Sequence, residues 1–488
     1  MLKDDNLAMI IHKLERKFQF IWNRIYHTNK LTDISLEEFK SIVQQQGIII
    51  KEIKETTFGF NQTIKAIKLE TPERVAIFPR MKLEQMPLYT QNIEPFRESQ
   101  DFWRKVDWFY PVYISREQIN KGFEVVGLKI GDHKTLPKKV LQERFEQAFP
   151  TFYNFSNIIP MTAQALTDSI AIAKHLPVIR ESILAFYSGM RVVAISSLIP
   201  IIEDVLNTII GRHSRGLDLK AKVQHCISKA RENIIKEHFD NADWIPQDFI
   251  QVDVLKVINE RIRVIELIGD WLQNSFYEDT DKYDNISGFN RHYFAHANSQ
   301  IWQTQSNFFR AIGLIQAMAF IECFATNNSK LSVFPPIPDK RSESFRNDVF
   351  ACLNLQVIKN ELLRNLQIQN CLPFNPTSSD DGWLGRSAIL SSTMNNEIVI
   401  KLRNNGWQCH DFGEPIKIGE YITVKATKNM EIIGVTLLYS CATDNAIYKE
   451  LEKVSTYILY LGPPYQQSSY AKGVEKYVGP LNAWLAPT

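Results

Sequence analysis

The chain has 488 residues, of which 44% are hydrophobic and 23% charged, and its formal net charge is +2. This composition excludes a disordered protein, and the length predicts about two to four domains. A charge so close to neutral excludes a globally basic nucleic-acid binder, so any nucleic-acid surface must be a local patch.

The sequence carries no sign of secretion, membrane insertion or cofactor chemistry. The six cysteines form no CxxC pair and no zinc-finger spacing, which favours reduced thiols. The start of the chain lacks a signal-peptide pattern, and the longest apolar run, residues 192–202, is shorter than the roughly 20 residues that span a bilayer. No glycine-rich phosphate loop, HExxH or kinase signature is present. We expect a cytoplasmic protein with no cofactor, no metal and no membrane partner.

Residues 1–165 form a mixed α+β region of unassigned role. Their hydrophobic periodicity predicts helices at 6–25 and 36–46, and short apolar runs predict strands at 75–78 and 123–128. The segment 102–113 is rich in aromatic residues. These rings fit either a nucleotide-stacking surface or core packing, and core packing is favoured.

The sequence of residues 170–326 predicts an all-α domain. Apolar residues recur there at three- and four-residue spacing, and they predict helices at 176–187, 190–210, 217–239, 253–276 and 305–324. The second of these helices is apolar on most faces, so it is expected to be buried, and Pro200 should kink or restart it.

The remaining chain holds a linker and a second mixed domain. Residues 327–374 combine a proline-rich linker with a helix at 342–367. Residues 375–488 predict a small α+β domain, to which we assign a sensor or regulatory role. Its predicted strands lie at 397–402, 421–426, 432–440 and 457–461, with a helix at 447–457. The expected fold is therefore multidomain: a central all-α bundle flanked by an α+β N-terminal region and an α+β C-terminal domain.

The segment that carries chemistry is Asn290-Arg-His-Tyr-Phe-Ala-His296. It places Arg291 and His296 five positions apart, just before a long apolar helix. An Arg-x4-His pair alone is a weak signal, and a helix start with a buried histidine also fits it. However, the helical pair at 180–206 that precedes it strengthens the functional interpretation. Together the pair and the motif resemble HEPN domains of abortive-infection and toxin proteins, over about 150 residues. As in that family, the residue after the arginine is polar, here His292.

The resemblance implies a metal-independent endoribonuclease that works as a homodimer, with Arg291 and His296 as catalytic residues. It also suggests Glu203 as an acidic third member, which would hold Arg291 or orient His296, and Asp204 is the alternative. His292, Asn290 and Tyr293 are expected to support the site or contact RNA.

The chemistry of RNA cleavage supports these assignments independently. Attack by the ribose 2′-hydroxyl needs a base, an acid and a cation that stabilises the phosphorane. Histidine exchanges protons near neutral pH, and arginine grips phosphate. Two motifs across a twofold axis supply both proton-transfer groups. The products would be a 2′,3′-cyclic phosphate and a 5′-hydroxyl.

We expect such a ribonuclease to serve antiviral defence or to act as a toxin, under the control of a phage-derived or cellular trigger or of an inhibitor partner. Two other classes of function stay open. One is a non-catalytic HEPN module that binds nucleotides or RNA, or dimerises, and so regulates a partner. The other is an antitoxin-like protein whose helices cover a partner.

Overall fold

The computed structural model describes residues 2–27, 31–59, 63–295, 300–326, 328, 330–375 and 383–488. The chain divides into two compact units. The first consists of Met1–Ile179 and Ser196–Ser342, and the second of Arg180–Ile195 and Glu343–Thr488. The N-terminal region and most of the central helical region therefore share one unit.

The described residues are mostly helical and contain two separate β-sheets. The α-helices are α1 (Leu2–Tyr26), α2 (Leu36–Gln45), α3 (Pro87–Lys105), α4 (Arg116–Val125), α5 (Lys138–Glu146), α6 (Phe149–Phe152), α7 (Phe155–Ala163), α8 (Leu176–Tyr187), α9 (Arg191–Ile210), α10 (Leu219–His238), α11 (Gln247–Ile250), α12 (Val252–Ile258), α13 (Glu260–Trp271), α14 (Arg291–Ala295), α15 (Gln305–Ala325), α16 (Lys340–Gln369), α17 (Trp383–Thr393), α18 (Val399–Asn404), α19 (Asn445–Glu452) and α20 (Gln467–Tyr470). The strands are β1 (Glu52–Phe58), β2 (Ile64–Glu70), β3 (Val75–Pro79), β4 (Gln408–His410), β5 (Tyr421–Lys428), β6 (Glu431–Leu438), β7 (Tyr457–Tyr460) and β8 (Tyr477–Pro480). The predicted outline, a helical middle between two sheet-containing regions, is confirmed.

The N-terminal sheet is an antiparallel β1-β2-β3 meander that is covered by aromatic residues. Phe18 of α1 lies against Phe78 of β3 and against Trp244, with ring centroids 6.2 and 5.5 Å apart. The Ile77 amide also donates to the Trp244 carbonyl at 3.0 Å. Because Trp244 follows α10, this sheet and the central helices share one core.

α15 is the central helix of the first unit, and nearly all of its residues are buried. It packs along α10, and Gly313 makes room for Tyr153, since a Cβ at Gly313 would lie 2.4 Å from the Tyr153 ring. Two helical stretches among the described residues, Arg191–His213 and Gln305–Ala325, are long and apolar enough to cross a membrane. In their most apolar windows, 56% and 94% of the residues are buried inside the protein, a profile that core helices also have.

The aromatic segment 102–113 belongs to the core, as favoured. Phe102, Trp103, Trp108 and Phe109 are all essentially inaccessible to solvent. Trp108 stacks on Phe109 with ring centroids 4.1 Å apart and meets Trp271 of α13 edge-on at 4.8 Å. These rings are therefore closed to stacking with a nucleotide.

The predicted strand at 123–128 is wrong, because this stretch ends helix α4. Ser115 Oγ accepts the Gln118 amide and caps the first turn. Ile119 and Phe123 are buried four residues apart, which is a helical spacing. Just beyond the helix, Gly127 has a φ of 62°, a conformation that glycine adopts without strain.

Two further predictions need correction. The single helix predicted at 253–276 is divided at Asn259, where the backbone is extended and the side chain caps α13 by accepting the Ile262 amide. Leu272–Phe276 then forms a π-helical turn. In the second unit, the predicted strand at 397–402 is instead the end of a π-helical turn and the first four residues of α18.

The second unit contains a five-stranded mixed sheet of order β4-β5-β6-β7-β8. The pairs β4–β5 and β5–β6 are antiparallel, whereas β6–β7 and β7–β8 are parallel. α19 connects β6 to its parallel neighbour β7, as parallel pairing requires a crossover. Arg386 of α17, almost fully buried, forms a bidentate ion pair with Glu420 just before β5. This pair fixes the helix on the sheet.

Candidate active site

The Arg-x4-His segment begins at a helix start that Asn290 holds in place. The buried Asn290 side chain donates to the carbonyl oxygens of Ser275 and Glu278 at 2.9 and 2.8 Å. Its Oδ1 accepts the His292 amide at 2.8 Å and the Tyr293 amide at 3.3 Å, as an N-cap does. The hydrogen bonds of the Asn290 side-chain amide therefore attach the start of α14 to the backbone of Ser275 and Glu278.

Arg291, the first residue of α14, contacts Glu203 on α9. Arg291 Nε donates to Glu203 Oε1 at 2.6 Å, and each side chain is about 30% exposed. The distance is that of a short charge-assisted hydrogen bond. The Glu203 carboxylate thereby orients the Arg291 guanidinium. Because the Arg291 side chain is partly exposed, it remains accessible to solvent.

Asp204, the alternative acidic residue, has other partners. Its carboxylate lies 2.5 Å from Lys174 Nζ and 2.8 Å from His175 Nε2. The hydrogen bond from Lys174 is the main reason that the pKa of Asp204 is lowered from its usual value. Neighbouring residues of α9 thus hold two separate ion pairs, and the one that involves Arg291 belongs to Glu203.

The other predicted site residues are distributed around α14. His296 lies outside the described residues. His292 and Tyr293 are half-buried, and the Tyr293 ring meets Tyr283 edge-on, with centroids 5.5 Å apart. Asn290 has a positioning role toward the backbone of α14.

Tyr277 is a neighbour of the ion pair that the sequence did not reveal. It is buried, and its hydroxyl has no hydrogen-bond partner among the described residues. Burial raises the pKa of Tyr277, and the nearby Glu203 charge raises it further, whereas Arg291 lowers it. This phenol therefore stays protonated beside the Arg291–Glu203 pair. A tyrosine after an apolar helix gives no sequence signal for such a place.

A buried acidic centre lies behind the site and reaches it through Ser275. The Asp107 carboxylate accepts hydrogen bonds from Trp271 Nε1 at 3.0 Å and Ser287 Oγ at 2.8 Å, and also from Ser275 Oγ. Burial raises the pKa of Asp107, and the Arg310 charge opposes this rise. The backbone oxygen of the same Ser275 accepts from Asn290. One connected network therefore runs from the core to α14.

Comparisons with protein-family models, with curated proteins and with solved structures find no match to this chain. Within the described residues, no group of three or more His, Cys, Asp or Glu side chains is arranged to hold a metal ion. The site must therefore be interpreted from its own geometry.

Proposed function

We propose that this protein is a metal-independent endoribonuclease of HEPN type, with Arg291 and His296 as its catalytic residues. The observation that carries the proposal is the 2.6 Å contact between Arg291 and Glu203. Both residues are candidates from sequence alone, and they stand 88 positions apart. Of the two acidic candidates on α9, Glu203 is the one that contacts Arg291, whereas Asp204 pairs with Lys174 and His175.

In the proposed reaction, the ribose 2′-oxygen bonds to the adjacent phosphorus while a histidine takes its proton. The bond from phosphorus to the 5′-oxygen breaks, and a second histidine protonates that oxygen. Arg291 stabilises the charge on the phosphorane oxygens. Glu203 acts as a positioning residue because it orients the guanidinium. The products are a 2′,3′-cyclic phosphate and a 5′-hydroxyl.

One chain supplies one motif histidine, whereas the reaction needs a base and an acid. We therefore propose a homodimer in which two copies of Arg291 and His296 share one cleft, since a twofold axis brings identical residues together. A nuclease of this kind fits antiviral abortive infection or a toxin in the cytoplasm. Its second unit would then respond to a phage-derived or cellular trigger or to an inhibitor.

The test is cleavage of RNA in excess EDTA by the wild type and by Arg291→Ala and His296→Ala. The wild type is expected to leave 2′,3′-cyclic phosphate ends and to spare DNA of the same sequence, which lacks the 2′-hydroxyl. Both variants should be inactive. Cleavage that survives both substitutions would overturn the site. RNA binding without cleavage, unchanged in His296→Ala, would instead support a non-catalytic binding or dimerisation module.

A further inference from the structure

The loop after α9 and the first turn of α10 carry a concentration of positive charge. Residues 211–222 contain four cationic side chains and a single carboxylate, Asp218. The cations are Arg212, Arg215, Lys220 and Lys222. We call these four residues the basic loop. In a chain whose net charge is only +2, this is the kind of local patch that nucleic-acid binding requires.

Two cations of the basic loop face solvent, whereas Lys220 pairs with Glu278 and Lys222 is half-buried. Arg212 and Arg215 are exposed, and neither they nor Lys222 form an ion pair with the described residues. The one carboxylate of the segment, Asp218, caps α10 by accepting a hydrogen bond from the Ala221 amide. Three of the four cations therefore have no acidic partner among the described residues, and an opposite charge from a ligand could supply one.

The basic loop is attached to the candidate active site on both sides. On one side, α9 carries Glu203 seven residues before its end at Ile210, which is about 10 Å along the helix axis. On the other side, Lys220 Nζ lies 3.2 Å from Glu278 Oε1. The backbone oxygen of Glu278 accepts from Asn290, which starts the Arg291 helix.

The two arginines of the basic loop lie in a short stretch between two glycines. Gly211 and Gly216 bracket this stretch with φ values of 70° and 80°, and neither has an atom within 4 Å of where a Cβ would stand. Lys229 Nζ on α10 donates to the Ile209 carbonyl at 3.2 Å, so the end of α9 is joined to α10. A cation at the end of a helix is favourable. The two arginines therefore follow directly on a helix end that Lys229 joins to α10.

We infer that the basic loop binds the sugar–phosphate backbone of single-stranded RNA and directs the strand to Arg291. This inference rests on the proposed function and adds the substrate-docking surface to it. Arginine is suited to phosphate because its planar fork donates two hydrogen bonds at once. Contacts of this kind set the position of a strand and carry no sequence information. The loop should therefore contribute affinity without base preference.

The test compares two triple variants of the full chain, each also carrying His296→Ala to prevent cleavage. The loop variant is Arg212→Gln, Arg215→Gln and Lys222→Gln. The control is Arg116→Gln, Lys121→Gln and Lys129→Gln, which removes the same charge from exposed positions in the N-terminal region. Binding of a fluorescein-labelled mixed-sequence RNA is measured by anisotropy as a function of salt concentration.

The loop variant is expected to bind about 10- to 100-fold more weakly at low salt, with a slope of log K against log salt shallower by about 2, since each lost phosphate contact contributes about 0.7. The control should match its parent. In a cleavage-competent background, the loop variant should raise KM more than it lowers kcat.

The outcomes separate this inference from the proposed function. Wild-type affinity and salt slope in the loop variant would overturn the docking surface while leaving the nuclease proposal intact. Loop-dependent RNA binding by a protein that cuts no RNA would overturn the nuclease proposal and leave the docking surface standing. An equal loss in the control would show that RNA responds to total charge, and this too would overturn the inference.

Discussion

Arg291 and Glu203 meet at 2.6 Å between Nε and Oε1, although 88 positions separate them in the chain. Both side chains are about 30% exposed. An ion pair at that level of exposure contributes at most about 1 kcal/mol to stability. The main consequence of the pair is therefore orientation: it directs the guanidinium of the first residue of α14 toward α9.

For the proposed ribonuclease, this geometry predicts that Glu203→Gln lowers the RNA cleavage rate by about 10- to 100-fold, the cost typical of a misplaced catalytic group. The unfolding free energy should change by less than about 1 kcal/mol. Asp204→Asn is the matched control, since Asp204 is the next residue on α9 but pairs with Lys174 and His175. It should cleave at nearly the wild-type rate. A larger loss of cleavage rate in Asp204→Asn than in Glu203→Gln would show that Asp204 is the acidic residue of the site.

Tyr277 gives a second prediction. Because its buried hydroxyl has no partner among the described residues, Tyr277→Phe should leave the unfolding free energy unchanged or raise it by up to about 1 kcal/mol. The control is Tyr448→Phe, whose buried hydroxyl donates to the Cys441 carbonyl at 2.8 Å and whose removal should cost about 1 kcal/mol. Denaturant unfolding measures both. Slower RNA cleavage by Tyr277→Phe at unchanged stability would show that the Tyr277 hydroxyl takes part in the reaction.

His238 makes the first unit sensitive to acid. Burial lowers its pKa from 6.5 to about 4. Asn259 Nδ2 donates to His238 Nδ1, because the Asn259 oxygen is already engaged by the Ile262 amide. Protonation of His238 Nδ1 would place its N–H against the N–H of Asn259 Nδ2. Since the unfolded state binds the proton more tightly, this histidine lowers stability as the pH falls from 6.5 toward 4 and has no effect at neutral pH.

The corresponding measurement is the unfolding free energy of the wild type and of His238→Gln, at pH 7.5 and at pH 4.5. Between these two conditions the wild type should lose about 2.5 kcal/mol more than the variant. Glutamine retains an acceptor for Asn259 and does not titrate. Parallel losses in the two proteins would show that the folded-state pKa of His238 is not depressed.

The sequence predicted the elements whose periodicity is strong. The bounds of α8 match the prediction, and α10 and α15 agree within two residues at either end. The wrong strands at 123–128 and 397–402 are short apolar runs, in which helix and strand periods look alike. The break at Asn259 arises from a cap inside a continuous apolar pattern.

Only those residues of the candidate site that lie in a recognisable sequence segment could be predicted. Arg291 and Glu203 were named from the sequence because each lies in a recognisable segment, and the structure brings their side chains into contact. Asp107 and Tyr277 were not found, since each depends on chains of contacts between distant segments: Asp107 meets Ser275 and Ser287 more than 160 positions away. Spacing in the sequence carries no signal for such contacts.

The last prediction concerns the charge buried behind the site. Arg310 is fully inaccessible, lies 2.5 Å from Glu146 Oε1 and stacks its guanidinium over Phe149 at 4.5 Å. Its charge also opposes the effect of burial on Asp107. Arg310→Met would leave the buried Asp107 and the partly exposed Glu146 without the cation that they share. It should therefore cost about 3–5 kcal/mol of unfolding free energy.

Lys453→Met is the control for this loss, because Lys453 pairs with Glu450 at the surface, where both side chains are mostly exposed. Its cost should stay below about 1 kcal/mol. Adding Glu146→Gln to Arg310→Met should recover part of the stability, since it removes one of the stranded charges. If the double variant were less stable than Arg310→Met alone, Glu146 would stabilise the core independently of Arg310, and the ion pair would not be the source of the loss.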